Sequence, residues 1–524
     1  MRRVATFPID DLVFWKKQLL YWVAGHEFGT YLDSNEHDAS VWECLAAAGK
    51  AEVLEVNAGT AFEQLHTFQQ GKKDWLFGFL GYDLKNELEA LSSQHFDGIG
   101  LPDLGFFRPV TVASIKPVRF LETSQVSFLI EIQTLERTPE EIFGEIKNAT
   151  CTTMSVSNQT IAYEIPKITL QPRIPKSEYL QTVEAIRQHI AGGDIYEMNF
   201  CQEFFAENAM LHPVAVFERL NEIGKAPFTT FLRWNTHFLL SASPERFLKK
   251  EGQKLISQPI KGTRRRGKTV EEDEQIRQEL ASSEKDRSEN VMIVDLVRND
   301  FSRNCLPGSV VVDELCGIYT FTTVHQMIST VSGVLPSLGH SLLGHSSLVI
   351  SSLGHLSLGH SSLGHSSLGH SSLGSLVISS LEPLIDTMSS SNDEMTNDLN
   401  DAMTNDLNDE MTNDPNDNIP LKALRDCFPM GSMTGAPKVM AMELIERYER
   451  TRRGLYSGTV GYFAPDGDFD FNVVIRSILY NASTGYVSAQ VGGAIVYDSV
   501  PEQEYEECMV KAEAMMRALG ALEK

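Results

Sequence analysis

Seven cysteines are scattered through 524 residues without a single CxxC pair. An odd set without CxxC fits a reduced compartment better than a disulfide framework, so a cytoplasmic location is expected. Long apolar runs are also missing. The stretch LLYWVAG near the N-terminus is too short to cross a bilayer. No small-residue cleavage site follows it, so neither a membrane partner nor an export signal is expected. Basic residues are scarce beside acids: 45 Lys and Arg against 70 Asp and Glu, a net charge of −25. That balance argues against nucleic acid or an anionic membrane as the main partner, yet leaves room for a small anion in a locally basic site.

One segment lacks more than the rest. Residues 336–418 contain no Lys, no Arg and no aromatic side chain. The first half repeats SLGHSSLGHSSLGHSSLG and the second repeats DEMTNDLND-like units. Neither half keeps a helix or strand period, so a flexible low-complexity insertion is predicted. Its eleven acids, from Glu382 to Asp417, carry much of the −25. Six histidines (340, 345, 355, 360, 365 and 370) are spaced mostly by five, which does not stack them on one helical face. They are read as part of the repeat and not as a metal tract.

Apolar residues make up 42% of the whole chain, enough for a sizeable folded core outside this segment. TFTTVHQMISTVSG before the insertion and LKALRDCFPMGSMTGAPKVMAMELIERYE after it both read as core segments, so 177–335 and 419–524 are taken as one interrupted domain. Residues 1–165 form an N-terminal region with strand-like runs such as VSFLIEIQTL. A helical pattern starts at Lys176 and ends at a Gly pair. Strands are expected in HFLLSASPERFLKK, KLISQPIKGT and GTVGYFAPDGDFDFNVVIRSILY, with a final helix from about Glu502. The predicted class is α+β.

Several residues bear chemistry. Asp286 and Glu289 are i,i+3 on one predicted helix, and Glu504 and Glu507 repeat that spacing on another, with Lys511 four residues further on. Acids at this spacing share a face. Two such faces meeting would suit Mg²⁺, whereas apart they are ordinary solvated faces. Gly492, Gly493 and Ala494 end a strand, and FPMGSMTGAPK opens a helix; both can present backbone N–H groups to a carboxylate. Arg476 in NVVIRSI is a lone charge in an apolar strand pattern, where burial calls for an anionic partner. His325 reads equally as a catalytic group or a core histidine, and Glu245 in SPERF as an acid catalyst or a surface ion-pair member. Lys261 in QPIKGTRRRG is either one more cation for an anion or a nucleophile.

The ordered set SPERF, PIKGTRRRG, ENVMIVDLVRND, FPMGSMTGAPKVMAMELIE, SGTVGYF…DFNVVIRS and GGAIVYDS…EYEE…KAE resembles the chorismate-utilising enzymes, the anthranilate synthase component I-like family. The resemblance is dense over 177–335 and 419–524, and looser over 75–115 through GFLGYDL. It implies a layered α/β sandwich. It also implies Glu289 and Glu507 as Mg²⁺ ligands, with Asp286 and Glu504 beside them. Tyr456, Arg476, the Gly492–Gly493–Ala494 backbone and Lys511 would bind the carboxylates of chorismate. Gly262 and Thr263 would line the ring, His325 would be the active-site histidine, and Glu245 would protonate the departing 4-hydroxyl.

Two positions select a branch. Members that add water resemble one another in a lysine where this chain has Glu197. Members that make anthranilate carry PIAGT where this chain has PIKGT. The resemblance therefore points to the aminodeoxychorismate synthase branch, with Lys261 as nucleophile and para-aminobenzoate and folate downstream. Its pKa would have to fall, with help from Arg264, Arg265 and Arg266. Ammonia is expected from a separate glutamine amidotransferase subunit. The alternatives are an anthranilate synthase large subunit and a chain crippled by the insertion. YLDSN lies where anthranilate synthases carry a tryptophan-feedback serine motif, a match too short to imply regulation.

Overall fold

The computed structural model describes residues 2–37, 40–71, 73–119, 126–150, 168–322, 324–336 and 418–522. Apart from Pro336 and Asn418, the predicted insertion and its six histidines lie outside the described residues. Met1–Pro336 and Asn418–Lys524 form one compact unit.

Twenty strands among the described residues join one antiparallel network. Two arms leave the long strand Leu104–Arg119. The first arm runs through Cys44–Val56, Phe28–Asp33, Phe228–Trp234, His237–Ser243, Ser477–Asn481 and Tyr486–Ile495 to Glu197–Ala206. The second runs through Leu76–Leu80, Thr459–Phe463, Phe469–Val473, Arg246–Glu251 and Lys254–Gln258 to Val324–Val334. That last strand also pairs with Ile260–Arg265 and Val311–Thr320.

Alternation along these strands decides the layers. Phe28, Leu45, Trp234 and Leu239 of the first arm pack with Phe77, Phe79 and Val460 of the second. The two arms therefore bury their facing sides together, each large side chain contributing roughly 1.5–3 kcal/mol. Helices Leu12–Ala24, Lys176–Gly192, Pro213–Gly224 and Pro501–Ala518 cover the outer face of the first arm. Helices Ala61–Gln69, Glu284–Ser302 and Ile419–Cys427 cover that of the second. The result is the α+β layered sandwich expected. Strands from residues 1–165 and from the later segments interleave in both arms.

Three expected strand runs are interrupted. HFLLSASPERFLKK divides at Pro244–Glu245, and KLISQPIKGT divides at Pro259. Proline has no N–H for the ladder, so a central strand cannot run through it. The third run turns between Phe463 and Phe469, then ends at Val473 and resumes at Ser477, leaving Arg476 outside any strand with φ +50°. Pro437 is the N-cap of helix Lys438–Tyr448.

Candidate active site

Each break delivers one polar side chain to the same cavity. Glu245 follows Pro244, Lys261 follows Pro259, and Arg476 occupies the left-handed bend. All three line it, with Gly262, Thr263, Asp286, Glu289, Tyr456, Gly492, Ala494, Glu507 and Lys511. Gly262 is required for this. Its φ is +85°, and a Cβ there would come within 2.9 Å of Asp286 Oδ1. Only glycine lets the Lys261 strand turn and lie against the first turns of helix Glu284–Ser302.

Lys261 is buried, and its Nζ donates to Glu197 Oε1 at 2.5 Å. Burial works to lower its pKa, but the nearby carboxylates of Glu197 and Glu289 prevail and raise it. This overturns the expectation that neighbouring arginines depress it: Arg264 donates to Asp286 at 2.6 Å and Arg266 to Asp273. Their charge is directed at acids.

Burial raises Glu245 to about 7, partly offset by the Ser432 hydroxyl, which donates to its Oε1 at 2.6 Å. A carboxylic acid with that value holds its proton near neutrality. Burial lowers the pKa of Arg476, with Glu245 opposing, and its guanidinium makes no hydrogen bond or ion pair to another side chain among the described residues. Tyr456 is buried with its hydroxyl 3.5 Å from Cys201 Sγ. Lys511 donates to Gly492 O at 3.0 Å and pairs with Glu507 at 2.7 Å.

The two acid helices do meet. Lys285 lies between them, 3.1 Å from Glu504 and 3.9 Å from Glu289. Lys511 pulls Glu507 down to about 2, whereas burial lifts Glu289 to about 7. Glu289 Oε1 is buried without a hydrogen-bond partner. Among the described residues no three His, Cys, Asp or Glu side chains converge as a ready ligand cluster. Such a donor set does not make an all-protein cage. It fits a magnesium ion that keeps water and substrate oxygens, since one or two carboxylates suffice for such a site.

Gly493 and Glu504 lie just behind the lining. A Cβ on Gly493 would stand 3.6 Å from Glu504 Oε2 and 3.7 Å from Lys511 Nζ, so the bare backbone faces the acid helix. His325 is placed elsewhere. It is buried, with Nε2 at 2.9 Å from Asp273 Oδ1 and Nδ1 at 2.9 Å from Thr320 Oγ1. Adjacent strand residues face opposite sides, and Gln326 takes the cavity side. Gln326 Oε1 is buried without a partner. Sequence reading missed Gln326, Ser432 and the contact of Glu197 with Lys261. Period-two alternation in VHQMIS was the one available signal for Gln326.

A family model described as chorismate binding enzyme matches residues 16–342 and 415–517. The chain belongs to that family. It is 29% identical over 450 residues to anthranilate synthase component 1 of Thermus thermophilus, covering 85% of this chain and 77% of the relative. It is equally 29% identical over 458 residues to aminodeoxychorismate synthase component 1 of Bacillus subtilis, again covering 85% and 77%. Among solved structures, anthranilate synthase component I of Streptococcus pneumoniae aligns with a TM-score of 0.62 at 21% identity, over 92% of this chain and 93% of that one. This chorismate-binding enzyme has no described helix long and apolar enough to cross a membrane.

Proposed function

We propose that this chorismate-binding enzyme is an aminodeoxychorismate synthase component, converting chorismate and ammonia to 4-amino-4-deoxychorismate, with ammonia supplied by a separate glutamine amidotransferase subunit. The observation that carries this reading is the Lys261 amine, buried in the cavity wall and hydrogen-bonded to Glu197. A lysine held protonated is not a nucleophile, so a base has to take its proton. Glu197 is in contact with it, fully buried, and has a second oxygen without a partner.

The steps balance as follows. Lys261 passes a proton to Glu197, and its amine forms a bond to ring C2. The ring double bonds shift, and the C4–O bond breaks. Glu245 gives its proton to the departing hydroxyl, which leaves as water. Ammonia then bonds to C4, the bonds shift back, and the C2–N bond to Lys261 breaks. The new ammonium returns a proton to Glu245, and Glu197 returns one to Lys261. Arg476, Tyr456 and Lys511 hold the two carboxylates throughout. Glu289 and Glu507, with Asp286 and Glu504 beside them, would hold Mg²⁺, which when bound neutralises a substrate carboxylate. Para-aminobenzoate and folate synthesis lie downstream.

The second reading is anthranilate synthesis, favoured by a relative of equal identity. Product analysis decides. Purified protein with chorismate, Mg²⁺ and ammonium should yield 4-amino-4-deoxychorismate without pyruvate. Stoichiometric pyruvate with a 2-amino product would overturn the proposal.

A further inference from the structure

A second, smaller cavity lies directly behind Glu245. It holds about 20 Å³, against the roughly 10–15 Å³ that one water-sized molecule needs. It shares Glu245 and Ser432 with the main cavity. The partition is therefore one hydrogen-bonded pair thick, Ser432 Oγ to Glu245 Oε1 at 2.6 Å. Its walls are mostly apolar: Phe247, Leu248, Val297, Phe301, Cys427 and Met430 all line it. At one side stands Asp300, whose carboxylate is paired with Lys438 at 2.9 Å.

Position, size and polarity select one occupant. The chamber opens on the residue that protonates the 4-hydroxyl, so it lies on the side of the ring where a nitrogen must replace that oxygen. Its volume admits a single small molecule and no part of a ring. Apolar walls exclude ammonium, because burying a charge without a partner is far costlier than burying a neutral molecule. Asp300 is already paired, and the cations Lys261 and Arg476 stand beyond Glu245, so a second positive charge gains nothing by entering.

Resting on the amination reading above, we infer that this chamber is the ammonia site: neutral ammonia waits there and reaches C4 past the Glu245–Ser432 pair. The sequence around it holds the walls in place. Helix Ile419–Cys427 supplies Cys427 and helix Glu284–Ser302 supplies Val297, so both acid-bearing and post-insertion segments contribute.

Filling the chamber tests this. In Val297→Phe and Cys427→Met, the KM for ammonium, with saturating chorismate and Mg²⁺, should rise tenfold or more. The KM for chorismate and the pH dependence of kcat/KM for chorismate should stay within twofold of the parent, since no residue facing the main cavity changes. Where one variant fails to fold, the other carries the test, and Leu248→Phe adds a third. An unchanged ammonium KM in any variant that still binds chorismate overturns the inference. So does an equal rise in both KM values, which would mean that Glu245 has been displaced. If the parent proves to make a 2-amino product, the amination reading fails on that result alone. The ammonium KM of the filled variants would still show whether nitrogen passes through the chamber.

Discussion

Half-buried Lys16 and buried Lys261 are both held by acidic partners, and they differ in what is left over. Lys16 lies 2.6 Å from Asp33 and 2.6 Å from Glu43. Every oxygen of those acids is taken: Asp33 also accepts from Tyr31 and the Asn35 N–H, and Glu43 from Ser34 and the Glu36 N–H. Lys261 donates to Glu197 and feels the charge of Glu289, and each of those acids keeps one buried oxygen with no hydrogen-bond partner. Both lysines have raised pKa values for the same reason, carboxylates outweighing burial. The direction of the pKa therefore does not tell a structural clasp from a reactive site. Unsatisfied oxygens beside an open cavity do.

The comparison is broken most sharply by removing each amine. Lys261→Ala should lose 4-amino product formation by several orders of magnitude. Chorismate affinity, read by fluorescence titration, should change little, because Arg476, Tyr456 and Lys511 are untouched. Full turnover would make Lys261 a binding cation only. Next in size is Glu197→Gln, which keeps the shape but removes the base. Loss of a positioned acid or base typically costs 10²–10⁴-fold, and kcat should fall by about that much. Normal kcat would show that the Lys261 proton leaves by another route. Lys16→Met inverts the pattern. It strands buried carboxylates, which costs about 3–5 kcal/mol in stability by urea unfolding, while kcat per folded molecule stays at the parent value. A loss of kcat with unchanged stability would place Lys16 in the reaction.

Much of this was legible beforehand, and the failures share one cause. The ordered motifs carried the family, and apolar patterning carried the α+β class. Paired acids at i,i+3 marked the two helices that meet. What the sequence hid was orientation at strand breaks. Pro244 and Pro259 are visible as breakers, yet nothing in SPERF or PIKGT says that both breaks turn toward one cavity. Arg476 was read into a strand because its neighbours are apolar, whereas its left-handed bend is what frees the guanidinium. His325 and Gln326 are one residue apart, and a one-residue offset exchanges the two faces of a strand. The pairing of Lys261 with Glu197 joins segments 64 positions apart, which no local pattern encodes.

The smallest effect sharpens the reading most, because it concerns one hydrogen bond. Ser432 donates to Glu245 and so favours the carboxylate over the acid. Burial nonetheless lifts Glu245 from an ordinary value of 4.5 to about 7. A general acid must be protonated, so kcat/KM should fall as pH rises through about 7. Removing the donor in Ser432→Ala destabilises the carboxylate and raises the pKa further. The alkaline limb should then move to higher pH, while activity below pH 6 changes little. Stability follows the same sign. A carboxyl whose folded pKa exceeds its unfolded value contributes fully below about 4.5 and loses that contribution as pH rises through about 7. Thermal midpoints of the parent should therefore decline between pH 5 and 8, and those of Ser432→Ala should decline over a window reaching higher. An alkaline limb that stays fixed in Ser432→Ala would mean that Glu245 is not the acid that protonates the leaving hydroxyl.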